Sequence, residues 1–171
     1  MWNFSGRPSP SASRQIIKHK RVVMNNRNST TSGDGVIEMM IELAGCSKFH
    51  RIILSGPKAA QRMFELHRRG YGRLATTTTC GLPRGQYDVA LVDWPRHSAR
   101  ALKTTLEWLV HFLAPTSVLV ICISSHEAEE HRKLGSTIRS LGFRVEAGTR
   151  FSEGIIVSAR RRDANAQVVA A

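Results

Sequence analysis

The residues that could do chemistry cluster at a few points. The run Tyr87-Asp88-Val89-Ala90-Leu91-Val92 is apolar and β-branched in its interior and ends in Asp93, followed by Trp94 and Pro95. An acid at the end of a buried strand stands where ligands bind in open α/β sheets, outside the carboxyl ends of the strands. Two readings of Asp93 stand open: a group that meets a ligand, or a polar strand end held by a neighbouring N–H. Trp94 reads either as a stacking surface or as packing under a loop. A second strand-to-turn junction, Leu54-Ser55-Gly56-Pro57-Lys58, and the hydroxyl run Thr76-Thr77-Thr78-Thr79 lie upstream. His67 has no second histidine at metal-site spacing and reads as a helix-surface residue. Cys46, Cys80 and Cys122 are far apart and odd in number. That pattern argues against a disulfide framework or a zinc knuckle and fits a reducing cytoplasm.

The elements around these residues follow from periodicity. Tyr87–Asp93 and Val118–Ile123 are two buried runs flanking a helix-length segment, the pattern of a βαβ unit with parallel strands. Between them, Leu102, Leu106, Leu109 and Leu113 share one helical face, widened by Trp108 and Phe112. Upstream, Val36–Ala44 predicts a helix with Asp34 as N-cap and Gly45 as stop. Arg51–Leu54 predicts the first strand. Ala60, Met63, Phe64 and His67 line one face of a second helix that closes at Gly70. Leu74–Thr79 predicts a sheet-edge strand. The loop after it is short: eight residues from Thr79 to Gln86 reach at most ~27 Å. That just spans a strand and a lateral step if the strands at Leu74 and Val89 are parallel, so the usual crossover helix is missing. Downstream, Ser124 and Glu127 form a capping box for a helix that turns Leu134, Ile138 and Leu141 to the sheet. Gly142 stops it, and Phe143–Phe151 with Ile155–Arg160 predict a hairpin across Ser152-Glu153-Gly154.

Composition bounds the rest. With 171 residues, 42% hydrophobic, the chain is long enough for one domain with a sizeable core. No apolar run approaches the ~18–20 residues that span a bilayer, and no apolar h-region is seen at the N-terminus. The expectation is a soluble, cytoplasmic protein without a membrane partner. The net charge is +12, and residues 1–33 hold six of the 25 cations and none of the 13 acids. Half of the excess therefore sits on a Ser-, Asn- and Arg-rich segment unable to bury enough apolar surface to offset its ordering entropy. Residues 1–34 are expected to be a basic disordered tail, 35–162 the folded domain and 163–171 a C-terminal tail. The tail reads as a basic arm, with a transit peptide as the other reading. Solvated charge, or a surface for nucleic acid or an acidic partner, are the two readings of the excess.

This order of elements resembles the class I S-adenosylmethionine-dependent methyltransferase fold over roughly Val36 to Arg162. The resemblance is carried by Tyr87–Asp93, by Leu113-Ala114-Pro115-Thr116-Ser117-Val118-Leu119-Val120, and by Leu141-Gly142-Phe143 with Ser158-Ala159-Arg160. It implies a three-layer α/β fold: a Rossmann-like, mostly parallel sheet ending in an antiparallel hairpin and here lacking the usual third strand. It further implies S-adenosylmethionine as cofactor, contacted by Ser55 and Gly56, with Thr79 in place of the family's ribose-binding acid. Asp93 would be the catalytic residue, with Trp94 and Pro95 binding an unidentified substrate at its nitrogen or oxygen. The chain departs from the family's pattern in having a single glycine and no acid after the first strand and threonines at the end of the second. Asp93-Trp94-Pro95 matches the family's Asn/Asp-Pro-Pro-aromatic motif only loosely. These departures motivate the alternative of a catalytically inactive methyltransferase-like module that engages nucleic acid or an acidic partner through its tail. A receiver-like domain lacks its acidic partner on the first strand, and the Walker pattern lacks its second glycine and Lys-Ser/Thr pair.

Overall fold

A computed structural model describes residues 33–78, 84–94, 99–124 and 128–162. Residues 1–32 and 163–171, Thr79, Pro95 and Glu127 lie outside these residues, and α1 takes in Gly33 and Asp34, the last two residues of the expected N-terminal tail. The elements, in chain order, are α1 (Gly33–Ala44), β1 (Ile52–Ser55), α2 (Ala59–Arg68), β2 (Leu74–Thr76), β3 (Tyr87–Trp94), α3 (Ala99–Leu109), β4 (Leu113–Ile123), α4 (Ala128–Ser140), β5 (Phe143–Phe151) and β6 (Gly154–Arg161). A 3-10 turn, Val110–Phe112, joins α3 to β4.

The sheet has the order β2-β1-β3-β4-β6-β5. Strands β1 to β4 are mutually parallel, and β6 runs antiparallel between β4 and β5. This is the expected three-layer arrangement: a mostly parallel sheet that closes in a hairpin, with no strand outside β2 among the described residues. Strands buried on both faces need apolar residues at both parities. Leu54, Val89, Leu91, Val120 and Ile156 pack under α1 and α2, where Ile37, Met40 and Leu66 are fully buried. Ile53, Ala90, Val92, Leu119 and Ile121 pack on the other face under α3 and α4, against Leu102, Leu106, Leu109 and Ile138.

Several boundaries differ from expectation for physical reasons. The inner face of α2 is Ala59, Arg62 and Leu66 with Met63 packed beside them, while Phe64 is 67% exposed; His67 is on the surface, as expected. Spacing of three and four residues from Ala59 sets that face, and Arg62, a residue type that reads as surface, hides it. Trp108 is also turned outward, 43% exposed and tilted against the Phe112 ring at 4.4 Å. Strand β4 begins at Leu113, five residues before the apolar run. Its ladder to β3 pairs Tyr87 with Leu113 and then skips to Val89 with Val118, so the intervening residues, Pro115 among them, bulge out of the ladder. Pro115 has no N–H to donate, and a register shift is where a strand tolerates that. Strand β2 ends at Thr76, because Thr77 and Thr78 turn away and the Thr76 and Thr78 hydroxyls bond each other at 2.8 Å. Only ten residues separate β2 from β3, which lie on opposite sides of β1. A crossover with a helix needs a dozen or more, so the abridged connection follows from length.

Candidate functional site

The parallel strands end together at one pole, and the turns leaving them build a cleft there. It encloses about 490 Å³ and is lined by Ser55, Gly56, Pro57, Thr77, Trp94, Ala101 and Thr105. Ser55 closes β1 and is buried, and the Thr77 hydroxyl lies 3.5 Å from its Oγ. The backbone N–H of Thr77 donates to the Leu54 carbonyl at 3.0 Å, which fixes the β2 turn against β1. Trp94 ends β3 and packs on the α3 side of the sheet. Ala101 and Thr105, one turn apart on α3, form the far wall.

Gly56 is the tightest point. Its φ is +113°, and a Cβ there would stand 1.9 Å from the Asp93 carbonyl oxygen. The β1 turn therefore presses backbone-to-backbone on the tip of β3, a contact that only glycine allows.

Alternation along β3 sends Asp93 and Trp94 to opposite faces of the sheet. Asp93 is 8% exposed and faces α2, where its carboxylate accepts from the Arg62 guanidinium at 3.4 Å. Arg62 is itself 5% exposed and also meets Glu65 at 3.4 Å. Glu65 accepts from Arg69 at 2.8 Å, and Arg69 donates to Glu38 of α1 at 2.9 Å. Five alternating charges thus run from the surface of α1 through α2 to the tip of β3. Sequence reasoning missed Arg62, and its spacing from Ala59 and Leu66 was the available signal. Beside Asp93 in the sheet is Cys122, 2% exposed. Burial, and after it the nearby Asp93 carboxylate, push its thiol up to about 12, so it stays protonated and serves as a small core residue.

The structure therefore brings Ser55, Gly56 and Trp94 to one cleft, adds Thr77, Ala101 and Thr105, and puts the Asp93 side chain behind that cleft, against α2. Thr79 and Pro95 lie outside the described residues. Among the described residues no cluster of His, Cys, Asp or Glu could hold a metal ion, and no helix is long and apolar enough to cross a membrane.

No protein-family model matches the chain, and no curated protein does. Solved structures do. The chain is similar to a ribosomal protein L11 methylase from Lactobacillus delbrueckii subsp. bulgaricus, at 12% identity and a TM-score of 0.57 over 75% of this chain and 78% of that one. It is similar to a Burkholderia thailandensis 1,6-didemethyltoxoflavin-N1-methyltransferase with bound S-adenosylhomocysteine, at 14% identity and a TM-score of 0.52 over 74% and 76%. It is similar also to the [4+2]-cyclase SpnF, at 10% identity and a TM-score of 0.56 over 75% and 81%. What the chain shares with these structures is its fold, that of the class I S-adenosylmethionine-dependent methyltransferases.

Proposed function

We infer that the cleft binds S-adenosylmethionine and that the chain is a methyltransferase-like protein acting on a substrate nitrogen or oxygen. The reading is supported most by the placement of the cleft, at the C-terminal tips of β1, β2 and β3 in a sheet of this fold. Its lining suits the adenosyl half of that cofactor. Trp94, Pro57 and Ala101 offer apolar walls for a purine, and the Ser55, Thr77 and Thr105 hydroxyls offer donors and acceptors for a ribose diol. Hydroxyls hold a diol less strongly than a carboxylate does, so the cofactor is expected to bind weakly. Bound, it supplies a methyl group on a sulfonium, a leaving group that needs little acid–base assistance.

The chain's own contribution is then orientation and exclusion of water. Gly56 lets the β1 turn close on β3, and Trp94 walls the cleft. Asp93 acts in this reading as a positioning residue: its carboxylate, gripped by Arg62, and its carbonyl, under Gly56, hold the β3 tip in place. Because the same fold is found in a [4+2]-cyclase, binding and methyl transfer are separate questions. Isothermal titration with S-adenosylmethionine and S-adenosylhomocysteine tests the first. Saturable heat with both is expected, and silence at millimolar ligand would end the reading. A Trp94→Ala variant is expected to weaken binding about tenfold through lost stacking area.

A further inference from the structure

At the pole opposite the cleft, the N-terminal ends of β1 to β5, the C-terminal end of β6 and the C-terminal ends of all four helices converge. This pole is strongly basic. Lys48, Arg68, Arg73, Arg84, Arg139 and Arg162 are all exposed there, and among the described residues none of them is in an ion pair. Of the acids of the same pole, Asp88 is engaged by Arg51 at 2.9 Å and Glu146 by Arg160 at 3.2 Å, while Glu42, in the last turn of α1, is exposed and is outnumbered by the six cations. Cations at helix C-termini are the ordinary complement of the helix dipole, and that accounts for Arg68 and Arg139. It does not account for Lys48, Arg73, Arg84 and Arg162, which sit on the turns and strand ends between helices.

These turns are stitched into one surface. The Lys48 side chain lies over Gly70, the Arg73 carbonyl accepts from the Ile52 N–H at 2.8 Å, and Gly85 N–H donates to the His111 carbonyl at 3.0 Å. The Arg161 guanidinium donates to the Leu113 carbonyl at 2.9 Å, and Arg162 N–H to the Gly142 carbonyl at 2.9 Å. The cations accordingly form a stripe along the strand ends, about 24 Å long for six strands at ordinary spacing. Beside Lys48 stands Phe49, 80% exposed on a turn closed by the Ser47 N–H to His50 Nδ1 bond. A protruding aromatic next to a row of unpaired cations is the combination that tracks a phosphate backbone and stacks a base.

We propose that this pole is a binding surface for a single strand of nucleic acid. The cations follow successive phosphates, and Phe49 stacks on an unpaired base, which a duplex would not offer. The surface is independent of the cleft, which lies about 26 Å away along the eight residues of β3. It is also distinct from the point at which the basic N-terminal segment joins the domain. Helix α1 leads down into this pole, so the arm joins the domain at the other end of α1, about 18 Å away.

Fluorescence anisotropy of the full chain with a labelled oligo(U) of about 20 nucleotides tests the proposal. Between about 50 and 200 mM salt, log K should fall linearly with log salt. The Lys48→Gln/Arg73→Gln/Arg84→Gln variant should bind about tenfold more weakly, with the slope reduced by about two, since each phosphate contact contributes about 0.7. Phe49→Ala should weaken binding about tenfold with the slope unchanged, a signature of stacking rather than charge. Both differences should persist in a full chain whose six arm cations, Arg7, Arg14, Lys18, Lys20, Arg21 and Arg27, are replaced by Gln. All substituted side chains of the pole are exposed, and unchanged thermal melting of the variants confirms their folding. Wild-type affinity in either pole variant, or differences that vanish in the arm-neutralised chain, would overturn the proposal.

Discussion

A methyl group added at Gly56 would sit 1.9 Å from the Asp93 carbonyl oxygen, at a φ that L side chains rarely adopt. Gly56→Ala must therefore move either the β1 turn or the β3 tip, at a cost of about 2–4 kcal/mol. The urea midpoint should drop, and cofactor affinity with it, because the same displacement reshapes the cleft. Behind that contact, Arg62 and Asp93 form a buried pair. Removing only the cation, in Arg62→Met, leaves a carboxylate in an apolar setting and is expected to cost about 3–5 kcal/mol. The double variant Arg62→Met/Asp93→Asn should cost clearly less than the sum of the single ones, and additive losses in urea unfolding would show that the pair does not interact. A third residue-scale effect concerns pH. The Arg51 guanidinium bonded to Asp88 holds that carboxyl below its ordinary value of 3.8. The folded state thus binds fewer protons than the unfolded one, and the stabilisation is present above about pH 4 and lost as pH falls through the lowered pKa. Both side chains are partly exposed, so the effect is under about 1 kcal/mol. Asp88→Asn should be less stable than wild type at pH 7, with the difference shrinking as pH falls below the ordinary carboxylate value. At this scale Asp93 and Trp94 were legible as an acid and an aromatic at a strand end. Their division between two faces of the sheet follows from alternation, although the expected site had both of them meeting the substrate, and Arg62 was hidden by its residue type.

Helix α2 shows how an element can be read correctly in extent and wrongly in orientation. Its apolar residues suggested a face through Met63 and Phe64; Met63 does pack against the core beside Ala59, Arg62 and Leu66, but Phe64 is turned out to solvent. Leu66→Ala should therefore cost about 2–5 kcal/mol as a core truncation, while Phe64→Ser should change stability by less than about 0.5 kcal/mol. Equal losses for the two in thermal unfolding would contradict the orientation. The hairpin of β5 and β6 was read almost to the residue, because Ser152-Glu153-Gly154 separates two strand-length runs. Its faces were not legible: the register shift between Val145 and Ala147 buries Phe143 under α3 and α4 and leaves Phe151 and Ile156 on the face under α1 and α2. Gly154 is tied to its place as well, since a Cβ there would meet the Ile123 carbonyl oxygen at 1.9 Å. The junction of α3 and β4 was not legible. Leu113 fits the helical period and the strand equally, and the ladder shift around Pro115 depends on β3, a partner that local pattern does not contain.

For the whole molecule, the missing crossover helix followed from counting. Ten residues between β2 and β3 exclude a helical crossover, and the hairpin at the far side needs no more than a turn. The sheet that results has two unequal edges. Strand β2 is three residues long and offers little to a second chain, whereas β5 is nine residues long and carries an exposed Val145. Long apolar edges recruit other strands unless charge or irregularity blunts them. Here β5 has both: a register shift between Val145 and Ala147, and the exposed charges Arg144, Glu146 and Arg150. If these keep the edge unpaired, Arg144→Val/Arg150→Val should leave the fold intact by circular dichroism and yet associate at micromolar concentration. The same substitutions on the surface of a helix would merely lower net charge. Sedimentation velocity separates the two cases: association of the β5 variant, with none for an Arg132→Val/Lys133→Val control on α4, locates the protection in the edge rather than in the overall positive charge. Association of both variants alike would assign it to charge.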